Sequence, residues 1–359
     1  MQRRECQVLW WIDVVSTSFF GDKRLQIKEI GLRQLVAKQR IPVSSHRGHR
    51  MQRWARDTDL CETFSPMDLA LAIDVGGTKF AVGLVTRAGE LIDRTQVRVD
   101  HSASGEEIFD DLARAVAEQM KMATEHHGTL PLVVGVGSAG PIERNVETVS
   151  PLNIFQWREF PLRERLATIT GLPVFGDGDA KALALAEGWL GAAKGVDNFM
   201  AMVVSTGVGG GIVLNGELLD GESGNAGHVG HVVVEPNGRR CTCGGRGCLE
   251  AEASGPAIEA ITGRPPTQPT YEIMVRTGRL VGRGAASVCN LLDLKLVVCS
   301  GSVALGFGAT FYTAAQRTLD ELCQIEFTRK ARFVPGRLAE DGPLIGAAAV
   351  GWRGLNRAQ

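Results

Sequence analysis

Three cysteines and one histidine between positions 231 and 248 have the residue types and the spacing of a metal site. Cys241 and Cys243 are separated by one residue, and Cys248 follows five positions later. Three thiolates and one imidazole complete the four ligands of a structural Zn²⁺ ion. His231 is the expected fourth ligand, because HVVVEPNGRRC indicates a short strand and a turn that return the cysteines to it. The alternatives are a metal-free glycine-rich loop and a disulfide between Cys243 and Cys248.

Two glycine-rich turns each stand between two apolar runs, which predicts a strand, a tight turn and a second strand. The residues of the first turn are Asp74, Gly76, Gly77, Thr78 and Lys79. The residues of the second turn are Thr206, Gly207 and Gly209. Glycines let backbone N–H groups approach an oxyanion, and the threonine and lysine side chains add donors, so phosphate is the predicted ligand. Neither turn has the Walker spacing, and each by itself could be a plain β-hairpin.

The two turns align as a weak internal repeat, which predicts two similar lobes with both turns in the cleft between them. The chain has 359 residues, enough for two domains. We expect an N-terminal extension at 1–66, an N-terminal α/β lobe at 67–190 and a C-terminal α/β lobe at 191–359. Within the extension, residues 25–43 could hold one helix of a DNA-binding motif, but no second, recognition helix is apparent.

Asp179 lies where a short strand and loop pass into a helix predicted from about residue 180 to 190. Aspartate is a favoured N-cap, which needs no chemistry. The positive end of the helix also keeps a carboxylate ionised, and such a group can accept a proton from a substrate hydroxyl. Asp177 is the competing candidate. In the preceding irregular loop, Asn153 and Trp157 could bind a sugar or could simply hold the loop in shape.

The composition is that of an ordinary soluble protein, with 44% hydrophobic residues, 22% charged residues and a formal net charge of −1. This balance predicts no nucleic-acid partner and no membrane surface. No apolar run reaches the roughly 18 to 20 residues that span a bilayer. Outside the 241–248 cluster the cysteines are scattered without a disulfide framework, so a reducing cytoplasm is the expected location.

Four segments together resemble the ROK family (repressors, open reading frames, sugar kinases) of the actin and hexokinase superfamily. They are DVGGTK at 74–79, GDGDAKALALAEG at 176–188, STGVGGG at 205–211, and GHVGH followed by CTCGGRGC at 227–248. The resemblance covers about residues 69–354 and is most specific in the histidine and cysteine segment. It implies an α/β, two-lobed, actin-like ATPase (ribonuclease H-like) fold. The cleft would close on a sugar and ATP, and the protein would be a homodimer.

The resemblance also implies a role for each matching residue. Asp179 would be the general base on the 6-hydroxyl of a hexose or N-acylhexosamine, and Asp74 would lie near the Mg²⁺ that accompanies ATP. The two glycine turns would surround the phosphates, and Gly301 would approach the adenosine. The residues expected to face the sugar are Gly140, Asn153, Asp179, His228, His231 and Glu250. The zinc would be structural and would hold the sugar-binding loop.

Two departures from the family pattern bear on the substrate. His228 replaces a glutamate that most sugar kinases of the family have, and Gly178 replaces an asparagine. The histidine is similar to that of bacterial N-acetylmannosamine kinases, and an imidazole can donate to an acetamido carbonyl. N-acetylmannosamine is therefore the first expectation and glucose the second. Lys181 is a further departure. A sugar-responsive transcriptional repressor and a non-catalytic relative are the alternatives to a kinase.

Overall fold

Ten strands form two sheets in the part of the chain that the computed structural model describes, residues 65–358. The strands of the first sheet are β1 (Leu69–Val75), β2 (Lys79–Thr86), β3 (Leu91–Arg98), β4 (Val133–Ser138) and β5 (Val174–Gly178). Those of the second are β6 (Phe199–Val204), β7 (Val208–Leu214), β8 (Glu217–Leu218), β9 (Leu296–Ser300) and β10 (Arg332–Pro335). The helix considered at 25–43 lies outside the described residues.

The two sheets have the same topology. Their strand orders are β3-β2-β1-β4-β5 and β8-β7-β6-β9-β10. In each, the first strand runs antiparallel to the strand that follows its glycine turn and parallel to the next strand on its other side. The predicted repeat of two turns is therefore a repeat of whole sheets. The first turn joins β1 to β2, and the second joins β6 to β7, which occupy the same places in the second sheet.

Eight helices accompany these strands in the described residues. They are α1 (Gly105–His127), α2 (Leu162–Thr170), α3 (Asp179–Trp189), α4 (Leu249–Ala253), α5 (Gly255–Thr262), α6 (Tyr271–Leu292), α7 (Ser302–Leu322) and α8 (Gly342–Ala358), with 3-10 turns at Arg144–Val146, Val229–His231 and Ala339–Asp341. Helix α1 begins with a capping box between Ser104 and Glu107, which satisfies free N–H groups of its first turn. Ile108, Leu112 and Val116 lie on its buried face at four-residue intervals, as in an amphipathic helix. No described helix is long and apolar enough to span a bilayer.

Helices α3 and α8 pack on each other between the two sheets. Helix α3 contacts β6 and β7, whereas α8 contacts β1 and β4. The close approach requires small residues: a Cβ added to Gly211 of β7 would lie 2.7 Å from the Cβ of Ala184. A Cβ added to Gly346 of α8 would lie 2.6 Å from the carbonyl oxygen of Ala182. Asp179, the first residue of α3, is thereby held where the two sheets meet.

The packing of α8 was not anticipated from the sequence. Residues 342–358 belong to the expected C-terminal lobe, but Leu344, Ala348 and Trp352 of α8 are buried in a cluster with β1 and β2. Small side chains let the helix lie flat on the first sheet. Helix α8 thus brings residues 342–358 back to the first sheet. The boundary between the two lobes at residue 190 stays a prediction.

Candidate active site

Two carboxylates, Asp74 and Asp179, lie on either side of Gly137 of β4, at the ends of the two strands that flank β4. Asp74 of β1 is paired in register with Gly137 of β4, and Asp179 follows β5 directly. A Cβ added to Gly137 would lie 4.0 Å from Asp74 Oδ1 and 3.9 Å from Asp179 Cα. The absence of a side chain at 137 therefore leaves the space between the two acids open, and the structure brings together two residues predicted from separate motifs.

The surroundings of these acids shift their titration. Loss of solvation raises the pKa of Asp74 to about 7; the charge of Asp179 adds to the rise and Lys79 opposes it. Loss of solvation also raises the pKa of Asp179, and the hydrogen bond that the Ala180 N–H donates to its Oδ1 at 2.6 Å opposes that rise. Asp179 still meets solvent in the cleft. A carboxylate with a raised pKa that remains accessible to a substrate hydroxyl suits a proton acceptor.

The first glycine turn is closed by its own backbone. The Gly76 N–H donates to the carbonyl oxygen of Lys79 at 3.2 Å, and the Val99 N–H donates to that of Thr78 at 3.0 Å. The side chains of Thr78 and Lys79 are exposed. The turn is thus rigid in its backbone and leaves a hydroxyl and an ammonium for a ligand.

Asn153 lies directly on the first turn. A Cβ added to Gly77 would be 2.6 Å from the Cβ of Asn153 and 2.7 Å from its Nδ2. The loop of Asn153 is held by Trp157, which is fully buried, stacks on Phe80 and Phe160, and donates its Nε1–H to the Gly105 carbonyl at 2.9 Å. Trp157 therefore fixes the loop, while Asn153 connects the expected sugar and phosphate regions.

Replacing Gly77 with alanine is expected to raise the KM for ATP about tenfold with little change in melting temperature, because the new methyl group must displace Asn153 or the turn itself. Steady-state kinetics with varied ATP measure the effect. Adding Asn153→Gly to the same chain removes the colliding Cβ and is expected to restore the KM for ATP. The KM for the sugar is expected to rise in this double variant, because the Asn153 amide is lost. An unchanged KM for ATP in the single variant would show that the turn does not contact the nucleotide.

The second glycine turn is tied to two other segments. The Val208 N–H donates to Glu250 Oε2 at 2.9 Å, which joins the turn to α4. The hydroxyls of Ser205 and Ser302 are 2.8 Å apart, which joins it to the first residue of α7, directly after Gly301. Thr206 is exposed beside them. The predicted residues Thr206, Gly207 and Gly301 are therefore neighbours, although the sequence separates them by almost a hundred positions.

A small cavity opens at Asp179. Its volume is about 70 Å³, and its lining includes Gly140, Gly209 and His228. The rings of His228 and His231 have centroids 6.0 Å apart. Partial burial lowers the pKa of His228; His231 lowers it further, and Glu250 opposes this. His228 is therefore a neutral imidazole near pH 7, with one donor and one acceptor nitrogen.

The predicted zinc ligands converge. One donor atom from each of His231, Cys241, Cys243 and Cys248 lies within 4.8 Å of the others. The Sγ atoms of Cys243 and Cys248 are 3.8 Å apart, and His231 Nδ1 is 3.7 Å from Cys241 Sγ. Four ligands at zinc bond lengths of about 2.0 to 2.3 Å in a tetrahedron have edges of about 3.5 to 3.8 Å. The cysteines are free, so the disulfide alternative is wrong and the donor set is compatible with zinc.

The metal loop leads straight into α4. Cys248 precedes the helix, and the Leu249 N–H donates to the Val232 carbonyl at 2.9 Å. Glu250 is the second residue of the helix and is the one that holds the second glycine turn. Closing the cluster on a metal would therefore position both His231 and Glu250.

Asp177, the competing candidate for the base, is engaged elsewhere. Lys181 Nζ is 2.9 Å from its Oδ1, and Arg353 is 3.8 Å from its Oδ2. Lys181 also contacts Asp220 Oδ1 at 3.1 Å and the Gly224 carbonyl at 2.8 Å. Asp177 is thus a buried ion-pair partner, which leaves Asp179 as the acceptor. Apart from the unusual Lys181, no sequence pattern indicates this network, because Asp220 and Arg353 lie far from Asp177 in the chain.

Comparisons with known proteins show the family of the chain. The ROK family model matches residues 70–352. The chain is 32% identical to the glucokinase of Thermotoga maritima over 313 residues, which cover 78% of this chain and 96% of that protein. It is 36% identical to the N-acetylmannosamine kinase of Haemophilus influenzae over 300 residues, which cover 77% of this chain and 93% of that protein.

A solved structure matches as well. The ROK family glucokinase from Streptomyces griseus in complex with glucose and AMPPNP is 27% identical and superposes with a TM-score of 0.67, covering 79% of this chain and 99% of that one. The predicted mixed α/β fold with two sheets is confirmed by this match.

Proposed function

The chain belongs to the ROK family, and on that premise we propose that it is a kinase that transfers the γ-phosphate of ATP to the 6-hydroxyl of a hexose or N-acylhexosamine. The observation that carries the proposal is Asp179, a carboxylate in the cleft beside Asp74 and next to a cavity lined by His228. Asp177 is ion-paired with Lys181, whereas Asp179 forms no ion pair within residues 65–358. The kinases named among the relatives support the same reaction.

In this reaction the protein positions the reactants and balances charge. Asp179 accepts the proton of the 6-hydroxyl while the sugar oxygen bonds to the γ-phosphorus and the bond to the ADP oxygen breaks. The two glycine turns donate backbone N–H groups to the phosphates. Bound Mg²⁺ would neutralise phosphate charge, and Asp74 is the carboxylate placed to hold it. The high pKa of Asp74 fits an acid that loses its proton when a cation arrives.

We propose N-acetylmannosamine as the preferred sugar, with glucose as the alternative. A neutral His228 can donate one hydrogen bond to the carbonyl oxygen of an acetamido group, which a carboxylate cannot do. Relatives named for both substrates have similar identity to this chain, so the choice depends on the side chains of the site. A homodimer in the cytoplasm remains a prediction from the sequence.

Replacing His228 with glutamate is expected to shift the ratio of kcat/KM for N-acetylmannosamine over glucose at least about tenfold towards glucose, because glutamate offers acceptors to vicinal hydroxyls and no donor to the acetamido carbonyl. A coupled assay of ADP release with both sugars measures the ratio. His126→Glu, on the exposed last turn of α1, makes the same change away from the cleft and is expected to leave the ratio unchanged.

Two results would contradict these proposals. An unchanged ratio in the His228→Glu variant would show that this residue does not contact the sugar. Absence of ADP release with N-acetylmannosamine, N-acetylglucosamine, glucose and mannose, in protein that holds zinc, would contradict the kinase itself. Binding to an operator DNA would then favour a sugar-responsive repressor.

A further inference from the structure

A second, larger cavity adjoins the one at Asp179. Its volume is about 330 Å³, and Ile142, Asp177, Lys181 and Gly224 line both cavities. A Cβ added to Gly178, which lines the smaller cavity, would meet no atom within 4 Å, so the space beside this residue is open. A volume of this size accommodates a substituent of several atoms. A sugar bound at Asp179 would therefore have room for a substituent on this side.

The larger cavity, which we call the basic cavity, is lined by more cations than carboxylates. The cations are Arg144, Lys181, Arg353 and Arg357, and the carboxylates are Asp177 and Asp220. Burial acts against ionisation of Asp220, but the hydrogen bonds and charges of Arg353 and Lys181 lower its pKa to about 2. Four cations and two carboxylates line the cavity, and Glu217 outside the lining pairs with Arg357 at 2.8 Å, so one positive charge is left in excess with all three acids ionised.

Arg144 is the cation with the most capacity for a ligand. Its Nη2 lies 3.3 Å from the carbonyl oxygen of Glu222 and 3.5 Å from that of Gly221. Within residues 65–358 it forms no ion pair, in contrast to Lys181, Arg353 and Arg357. A guanidinium that contacts only carbonyl oxygens at long distance keeps its paired donors for a planar anion.

We propose that the basic cavity binds an anionic substituent of the sugar, so that the site also accepts hexose derivatives that bear a carboxylate and binds them more tightly than their neutral esters. The inference rests on the proposed sugar site at Asp179 and adds the chemical class of the substituent. An excess of positive charge beside the reacting sugar favours an acidic derivative over a neutral one of the same size. Arg144 binds the carboxylate, and Lys181 and Arg353 shape the floor of the cavity.

Binding of two acidic sugars, each against its own methyl ester, tests this proposal with the full chain. The probes are N-succinylmannosamine and N-acetylmuramic acid, which place the carboxylate on different positions of the ring. Titration calorimetry is expected to give a Kd at least about tenfold lower for one acid than for its ester. The Arg144→Gln variant is expected to bring that ratio close to one. Arg317→Gln, an exposed arginine of α7 paired only with Glu321, is the matched control and keeps the ratio.

The outcomes separate this inference from the kinase proposal. Equal affinities of acid and ester in both pairs would overturn the proposal that the basic cavity binds an anionic substituent, whether or not neutral sugars are phosphorylated. An acid that binds without displacing N-acetylmannosamine would also overturn it, because the anion would then occupy a separate site. A tightly bound acid that competes with N-acetylmannosamine but yields no ADP would support the basic cavity and count against the kinase alone.

Discussion

Replacing Asp179 with asparagine is expected to lower kcat about 10³-fold while zinc content and melting temperature stay near those of the unchanged protein. A positioned general base contributes about 10² to 10⁴ in rate, and asparagine keeps the shape but cannot accept the proton. Asp179 sits at the start of α3 with solvent on one side, so the substitution leaves no buried charge unpaired. Single-turnover kinetics of phosphoryl transfer measure the effect without product release.

The matched control is Asp177→Asn, two residues earlier. That change leaves Lys181 and Arg353 with one carboxylate partner fewer in a buried place, so it is expected to lower the melting temperature more than Asp179→Asn does. The rate of phosphoryl transfer is expected to fall less in Asp177→Asn than in Asp179→Asn. The opposite pattern, with Asp177→Asn abolishing turnover and Asp179→Asn tolerated, would assign the base to Asp177.

The same carboxylate determines the direction of the pH dependence. Because the pKa of Asp179 is raised, its protonated fraction grows at a higher pH than for an ordinary aspartate. The base works only when ionised, so kcat/KM is expected to fall as the pH drops through this raised pKa. In the Asp179→Asn variant the pKa of Asp74 is expected to fall below about 7, since the charge of Asp179 contributes to its rise. Carboxyl NMR titration of metal-free protein measures that change.

Replacing Cys248 with serine is expected to abolish stoichiometric zinc binding, to lower the melting temperature by roughly 10 °C and to reduce kcat/KM for the sugar at least about 10²-fold. With zinc bound, His231 would be a ligand, and the residue after Cys248 begins α4. Losing the metal would free Glu250 from the second glycine turn and His231 from the cleft. Metal analysis, thermal unfolding and ADP release measure the three effects.

Cys323→Ser is the control for this prediction. Cys323 is buried like Cys248 but lies outside the cluster, at the end of α7. It is expected to keep zinc and activity. A Cys248→Ser protein that retains one zinc per chain and the unchanged melting temperature would refute a structural metal at this cluster.

The tight packing around α3 explains why the active site depends on residues that carry no functional group. Small residues of β7 and α8 let α3 lie between the sheets, so Asp179 meets residues of both. Larger side chains there would move the helix, and a displacement of about 1 Å in a catalytic group is costly in rate. The high glycine content of the chain thus serves this packing as well as the two turns.

Features that depend on short segments of the chain could be predicted from residue types and spacing alone. Three predicted features are present in the structure. They are the two strand, glycine turn and strand units, now seen at residues 69–86 and 199–214, the Cys/His cluster, and Asp179 at the start of a helix. Each depends on backbone geometry or on the number of metal ligands within one short segment of the chain. The types and spacing of the residues in such a segment are enough to predict its local structure.

Contacts between distant segments could not be predicted and are seen first in the folded chain. Arg353 meets Asp220 across 133 positions, Val208 donates to Glu250 across 42, and α8 returns to the first sheet. The spacing of apolar residues along the chain does not indicate which distant residues will meet, because each such contact arises from the packing of whole sheets and helices. The same packing decided that Trp157 is a buried support, that Asp177 is an ion-pair partner, and that a basic cavity adjoins the site of Asp179.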